Sequence, residues 1–114
     1  MRFFYDEEGD VLEVIFSNDT NHPAEAGYEL RKGVVLYVTA KMAPAQLTIV
    51  SFLPLTQLPI VHFDRLEKQP EKVRSKLLQV IASPPVSRFL RVDPAKFHGS
   101  IMNPGVVDVC AKAA

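Results

Sequence analysis

"RFFYDEEGDVLEVIF" (residues 2–16) gathers Asp6, Glu7, Glu8, Asp10 and Glu13 around Gly9. How this stretch is read decides the fold. It is a cation-binding loop, a pair of catalytic acids, or a turn between two strands. A calcium loop of the EF-hand kind needs acids at positions 1, 3 and 5, glycine at 6 and glutamate at 12. Counting from Asp6 puts Glu8 and Asp10 in place, but Val11 takes the glycine's position and Ser17 the glutamate's. Paired catalytic acids need a cleft that holds them on either side of a bond, whereas acids at a loop tip project into water. The flanks favour the turn. "RFFY" and "VLEVIF" are rich in aromatic and β-branched residues, as strands are. Leu12, Val14 and Phe16 alternate with Val11, Glu13 and Ile15, giving two distinct faces. In this reading Asp6 bonds to the backbone ahead of it, and Gly9 supplies a positive φ.

The same alternation continues outward. "YELRKGVVLYVT" (28–39) holds a third strand, clearest from Val34 to Thr39, and "QLTIVSFL" (46–53) a fourth. Val34, Leu36 and Val38 share one face while Val35 and Tyr37 are apolar on the other. Residues 1–53 therefore read as a four-stranded antiparallel meander of two hairpins, and residues 54–63 as a proline-punctuated extended crossing. In the mainly helical part, 64–114, "DRLEK" (64–68) gives one turn, with Asp64 and Glu67 at capping-box spacing. "PEKVRSKLLQVIAS" (70–83) is the clearest helix, with Val73, Leu77, Val80 and Ile81 on one stripe. "PVSRFLRV" (85–92) fits a short helix with Val86, Phe89 and Leu90 inward, a strand being the alternative. Residues 97–102 read as extended, and "VVDVCAKAA" (106–114) is ambiguous. The expectation is one α+β domain over 1–114.

Charge is balanced overall and split along the chain. Residues 1–30 carry a net −7 and residues 31–114 a net +7. Either the halves neutralise each other in the fold, or the second presents a basic face to an anionic partner. Candidates for such contacts are Arg88 and Arg91, spaced to share a helix face, beside Lys72 and Lys76 on the preceding helix. A near-neutral pI of about 6.8 argues against nucleic acid. The single cysteine, Cys110, fits a reducing, cytoplasmic setting. Met42 to Phe63 lacks Asp, Glu, Lys and Arg, yet three prolines argue against a membrane helix.

Candidate chemistry is sparse. His22, His62 and His98 stand far apart, with no metal spacing among them or with Cys110. No phosphate loop, nucleophile elbow or H-E-x-x-H pattern is present. No cofactor, metal or catalytic residue is assigned from the sequence.

Residues 5–16, "YDEEGDVLEVIF", resemble the opening of the bacterial family called domain of unknown function 2283, whose members start with a pattern like Y-D-x-x-x-D-x-L-Y-I. Tyr5, Asp6, Asp10, Leu12 and Val14 match, and Glu13 stands where a tyrosine is common. Residues 33–52 look like that family's second hairpin, with "TAKMAPA" in place of its acidic turn. The resemblance implies a small β-meander with no established activity, and gene neighbourhoods that suggest an antitoxin-like role.

Three functions follow as expectations. The first is a non-enzymatic protein acting through protein contacts, above all a homodimer. Strands apolar on both faces need two covers, and the second face would present Phe4, Val11, Ile15, Val35 and Tyr37. The second is an enzyme whose site gathers His62, His98 and carboxylates. The third is a regulator that touches nucleic acid through its basic helices.

Overall fold

The structure is a computed structural model describing residues 1–16, 23–103 and 105. The opening hairpin forms as expected, with β1 (Arg2–Asp6) and β2 (Val11–Ile15) antiparallel around a turn at 7–10. Three further strands follow: β3 (Ala26–Arg31), β4 (Val34–Val38) and β5 (Pro44–Val50). The stretch expected as one strand over 28–39 is thus two. Gly33, at φ +86°, makes the tight turn between them, a conformation that costs glycine little. All pairings are antiparallel and the order is β1-β2-β5-β4-β3, so the first hairpin docks on β5 rather than on β3. The sheet has five strands where four were expected, and it is not a simple meander.

The rest of the chain interleaves helices with a second sheet. A short helix, α1 (Phe52–Gln57), opens what was expected as the end of a strand and an extended crossing. Then come β6 (Val61–His62), α2 (Asp64–Glu67) and α3 (Glu71–Ala82), followed by a 3₁₀ turn at Val86–Arg88, β7 (Leu90–Val92) and β8 (His98–Ile101). β6, β8 and β7 form a three-stranded antiparallel sheet. Both helices expected around 64–68 and 70–83 are present. The capping box is not, because Asp64 is the first helical residue and Phe63 occupies the cap. The segment 85–92 is 3₁₀ turn then strand, and Val86, Phe89 and Leu90 are buried as expected.

The core lies between the two layers. Leu12, Val14, Leu36, Leu47 and Ile49 from the large sheet meet Phe52, Phe63, Leu66, Leu77, Phe89 and Ile101. Phe89 anchors the sheet's first hairpin, its ring centroid 5.8 Å from that of Phe3 and 6.2 Å from that of Phe16. The 42–63 stretch is spent on β5, α1 and β6, and no helix among the described residues is long and apolar enough to cross a membrane.

Candidate functional surfaces

Ladder register fixes which side chains leave the large sheet's outer face together. One row crosses the strands through Phe4, Glu13, Thr48, Val35 and Glu29. A second runs through Arg2, Ile15, Gln46, Tyr37 and Gly27, and a third through Asp6, Val11 and Val50. Phe4, Val11, Ile15, Val35 and Tyr37 therefore do share one face, opposite the core, and Val50 joins them. All six keep part of their surface in water, Phe4 at 49% and Val50 at 43%. Tyr37 lies over Gly27, where an added Cβ would come within 2.8 Å of the ring. The glycine thus lets an aromatic lie flat on an edge strand.

The acidic turn at one end of this face does structural work. Asp6 Oδ1 accepts the Glu8 N–H at 3.1 Å, while Glu7 and Glu8 stand exposed. The residue with positive φ is Asp10, at +52°, and not Gly9 as expected. Aspartate tolerates this conformation better than most residues with a Cβ. The bend aims the Asp10 carboxylate inward. There it accepts the Tyr5 hydroxyl at 2.7 Å and the Leu53 N–H at 3.2 Å, at the start of α1. Its carbonyl takes the Phe52 N–H at 3.1 Å. Ser51, the formal cap of α1, makes no side-chain capping bond, so Asp10, distant in sequence but beside Ser51 across the β2–β5 ladder, caps the helix instead.

This contact sets a pH response. The Tyr5 phenol is pushed up to about 12 by burial, then by its bond to Asp10 and the nearby charges of Asp10, Glu7 and Asp6. The fold favours the neutral phenol, so the stability it contributes is fully present below the ordinary value of 10 and is lost as pH rises through about 12. Urea melts of the native chain should therefore weaken over that window, and Tyr5→Phe should flatten the slope. An equal slope in the variant would place the alkaline sensitivity elsewhere.

The histidines present a mixed outcome. His62 and His98 are direct cross-strand partners in the small sheet, with ring centroids 4.8 Å apart and edge to face. His62 Nε2 donates to Glu67 Oε1 at 2.8 Å. Arg91 and Ser100 pair on the same face of that sheet, since Val61, Gly99, Val92, Leu90 and Ile101 take the other. Both histidines are exposed, whereas acid–base chemistry is served by groups tuned inside a cleft. Among the described residues, no three His, Cys, Asp or Glu side chains are arranged to hold a metal ion. His22 and Cys110 lie outside the described residues.

The basic candidates separate. Arg88 sits in the 3₁₀ turn and Arg91 in β7, so they do not share the helix face that their spacing suggested. Lys72 and Lys76 are exposed on α3, with Lys72 in its first turn and Arg88 beyond its far end. Arg91 lines a groove between α3 and β7 with Leu78, Ile81, Leu90 and Val92. Among the described residues, the acidic and basic halves of the chain meet in the ion pair between Glu29 on β3 and Arg65 on α2.

Compared with protein families, with curated proteins and with solved structures, the chain matches none of them.

Proposed function

We propose that this protein acts through protein contacts rather than chemistry, and that its first partner is a second copy of itself. The observation that carries this reading is the outer face of the large sheet. Six apolar side chains converge there, from β1, β2, β4 and β5, while the core occupies the opposite face. Contiguous apolar patches of this kind mark interaction sites on soluble proteins, and a self-complementary twofold contact is the commonest way to cover one. Of the charged groups on the face, Arg2, Asp6 and Glu29 lie on the edge strands β1 and β3, while Glu13 on β2 and the polar Gln46 and Thr48 on β5 stand among the apolar side chains. The face is thus mixed, apolar side chains interleaved with polar ones, and interfaces taken whole are about as apolar as the rest of a protein surface.

Light scattering on the purified chain at micromolar concentration tests the proposal. A mass of two chains or more is expected. Val35→Lys, on the outer face of β4 and beside Glu29 in register, should weaken association about tenfold or more with the fold intact. A mass of one chain at every concentration overturns the reading, and means the face is covered from within the chain.

A further inference from the structure

We propose that β1 is a second association surface, distinct from the outer face. It pairs antiparallel with β1 of another copy about a twofold axis at Phe4, and so joins two five-stranded sheets edge to edge. The inference goes beyond the face contact proposed above and does not depend on it.

An unpaired strand edge is a ready template for another strand, and proteins usually blunt it with bulges, prolines, charges or a covering element. The sheet's other edge is treated in this way. β3 carries a bulge between Glu29 and Arg31, packs against α2, forms the Glu29–Arg65 ion pair, and ends in Arg31 with Lys32 following in the turn. In the small sheet the edge strands β6 and β7 are only two and three residues long. β1 lacks these devices apart from a charge at each end, Arg2 and Asp6. It has five residues in unbroken register with β2, without a bulge, proline or lysine, and no described residue pairs with its free side. A shallow groove runs along it, lined by Phe3, Phe4, Tyr5, Asp6, Val11 and Glu13.

The sequence of β1 is complementary to itself when reversed. Antiparallel partners directly opposite one another must point to the same face of the joined sheet. That permits only registers that pair odd-numbered residues with odd and even with even. Among these, the one centred on Phe4 engages all five residues. It sets Arg2 opposite Asp6 of the partner subunit, Phe4 opposite the partner's Phe4, and Phe3 opposite the partner's Tyr5. Opposite charges and aromatic pairs are the combinations that stabilise neighbouring strands. The side chains are placed to serve. Arg2 lies on the outer face, its guanidinium carbon 5.8 Å from the Phe4 ring centroid. Asp6 uses Oδ1 for the Glu8 N–H, which leaves Oδ2 to accept a guanidinium. Phe4 itself is 49% exposed, and its own partner across the ladder is Glu13 rather than an apolar side chain.

A charge exchange tests this register. Arg2→Asp places like charges opposite each other at both ends of the strand pair, and so does Asp6→Arg. Each should weaken self-association about tenfold or more, as read by sedimentation equilibrium at low salt. Mixing the two variants restores both opposite-charge pairs in the mixed dimer and should restore association. If Asp6→Arg disturbs its turn, Arg2→Asp against Arg2→Lys decides, since the lysine variant should associate as the native chain does. Association that ignores the Arg2 and Asp6 exchanges while responding to Val35→Lys overturns the edge contact and leaves the face contact standing. The reverse pattern establishes the edge and removes the face. A native chain that stays monomeric throughout overturns both.

Discussion

Gly99→Ala is expected to destabilise the protein by about 3 kcal/mol or more, a large share of the stability of a typical small domain. β8 is the central strand of the small sheet, and Gly99 is paired on both sides, with Val61 and with Val92. A Cβ built there is driven into the backbone carbonyl of Arg91 and lies 2.9 Å from the Val92 Cα. Neither obstacle is the end of a flexible side chain. β7 would have to move away, taking with it Leu90 and the neighbouring Phe89, both fully buried in the core. Gly27→Ala is the control. It meets the Tyr37 ring at a similarly short 2.8 Å, but that ring lies on the outer face and can swing aside. Its cost should stay near 1 kcal/mol or less. Chemical denaturation of the two variants compares them directly. If Gly99→Ala cost no more than Gly27→Ala, β7 and β8 could not approach as closely as described.

Asp10→Ala is expected to cost about 2–4 kcal/mol, far more than a change in a surface turn. Three separate losses combine. The Tyr5 hydroxyl and the Leu53 N–H, both only part-buried, lose their acceptor, and alanine must hold φ near +52°. Asparagine keeps an acceptor oxygen and tolerates that backbone, so Asp10→Asn should be the mildest change. Asp10→Gly relieves the backbone but loses both bonds, and should fall between the two. The order Asn, Gly, Ala in rising cost, measured by urea melts, separates the hydrogen bonds from the conformation. A cost for Asp10→Ala as small as about 0.5 kcal/mol would reduce this residue to an ordinary turn aspartate.

Much of this fold is legible in the sequence because alternation and helical periodicity report burial directly. Leu12 and Val14, or Val34, Leu36 and Val38, declare their face before any partner is known, and the outer-face set follows by elimination. The stripe of Leu77 and Ile81 does the same for α3. What the sequence hides has specific causes. "AGYELR" places a glycine and two charged residues in six positions, so β3 shows little strand character although Leu30 is fully buried. α1 is obscured by Pro54, which reads as extended chain yet sits in a first turn, where a missing N–H costs nothing. The docking of β2 on β5 rests on long-range pairing that no local pattern encodes.

The candidate surfaces divide along the same line. The apolar face was readable because its residues belong to strands with clear alternation. The His62–His98 pair was not, since only the register of β6 on β8 brings the two rings together. Arg88 and Arg91 misled for the opposite reason. Their spacing suits a helix, but the chain changes from 3₁₀ turn to strand between them, and the two guanidiniums part. In sequence, Asp10 resembles the other acids of its turn. Only its distant partner at Leu53 distinguishes it.

The strand order also bears on how the chain comes off the ribosome. β1 and β2 emerge first and can close their hairpin at once, but β2's second neighbour is β5, and all of β3 and β4 must be synthesised before it appears. The Asp10 carboxylate waits longer still, for Leu53. In that interval the nascent hairpin shows apolar side chains on both faces and has two open edges, the state in which young chains stick to one another. Three carboxylates at its tip, Asp6, Glu7 and Glu8, lie exposed in the finished protein. Charged residues that flank an exposed apolar strand oppose such sticking, and these three flank β1 and β2 alike.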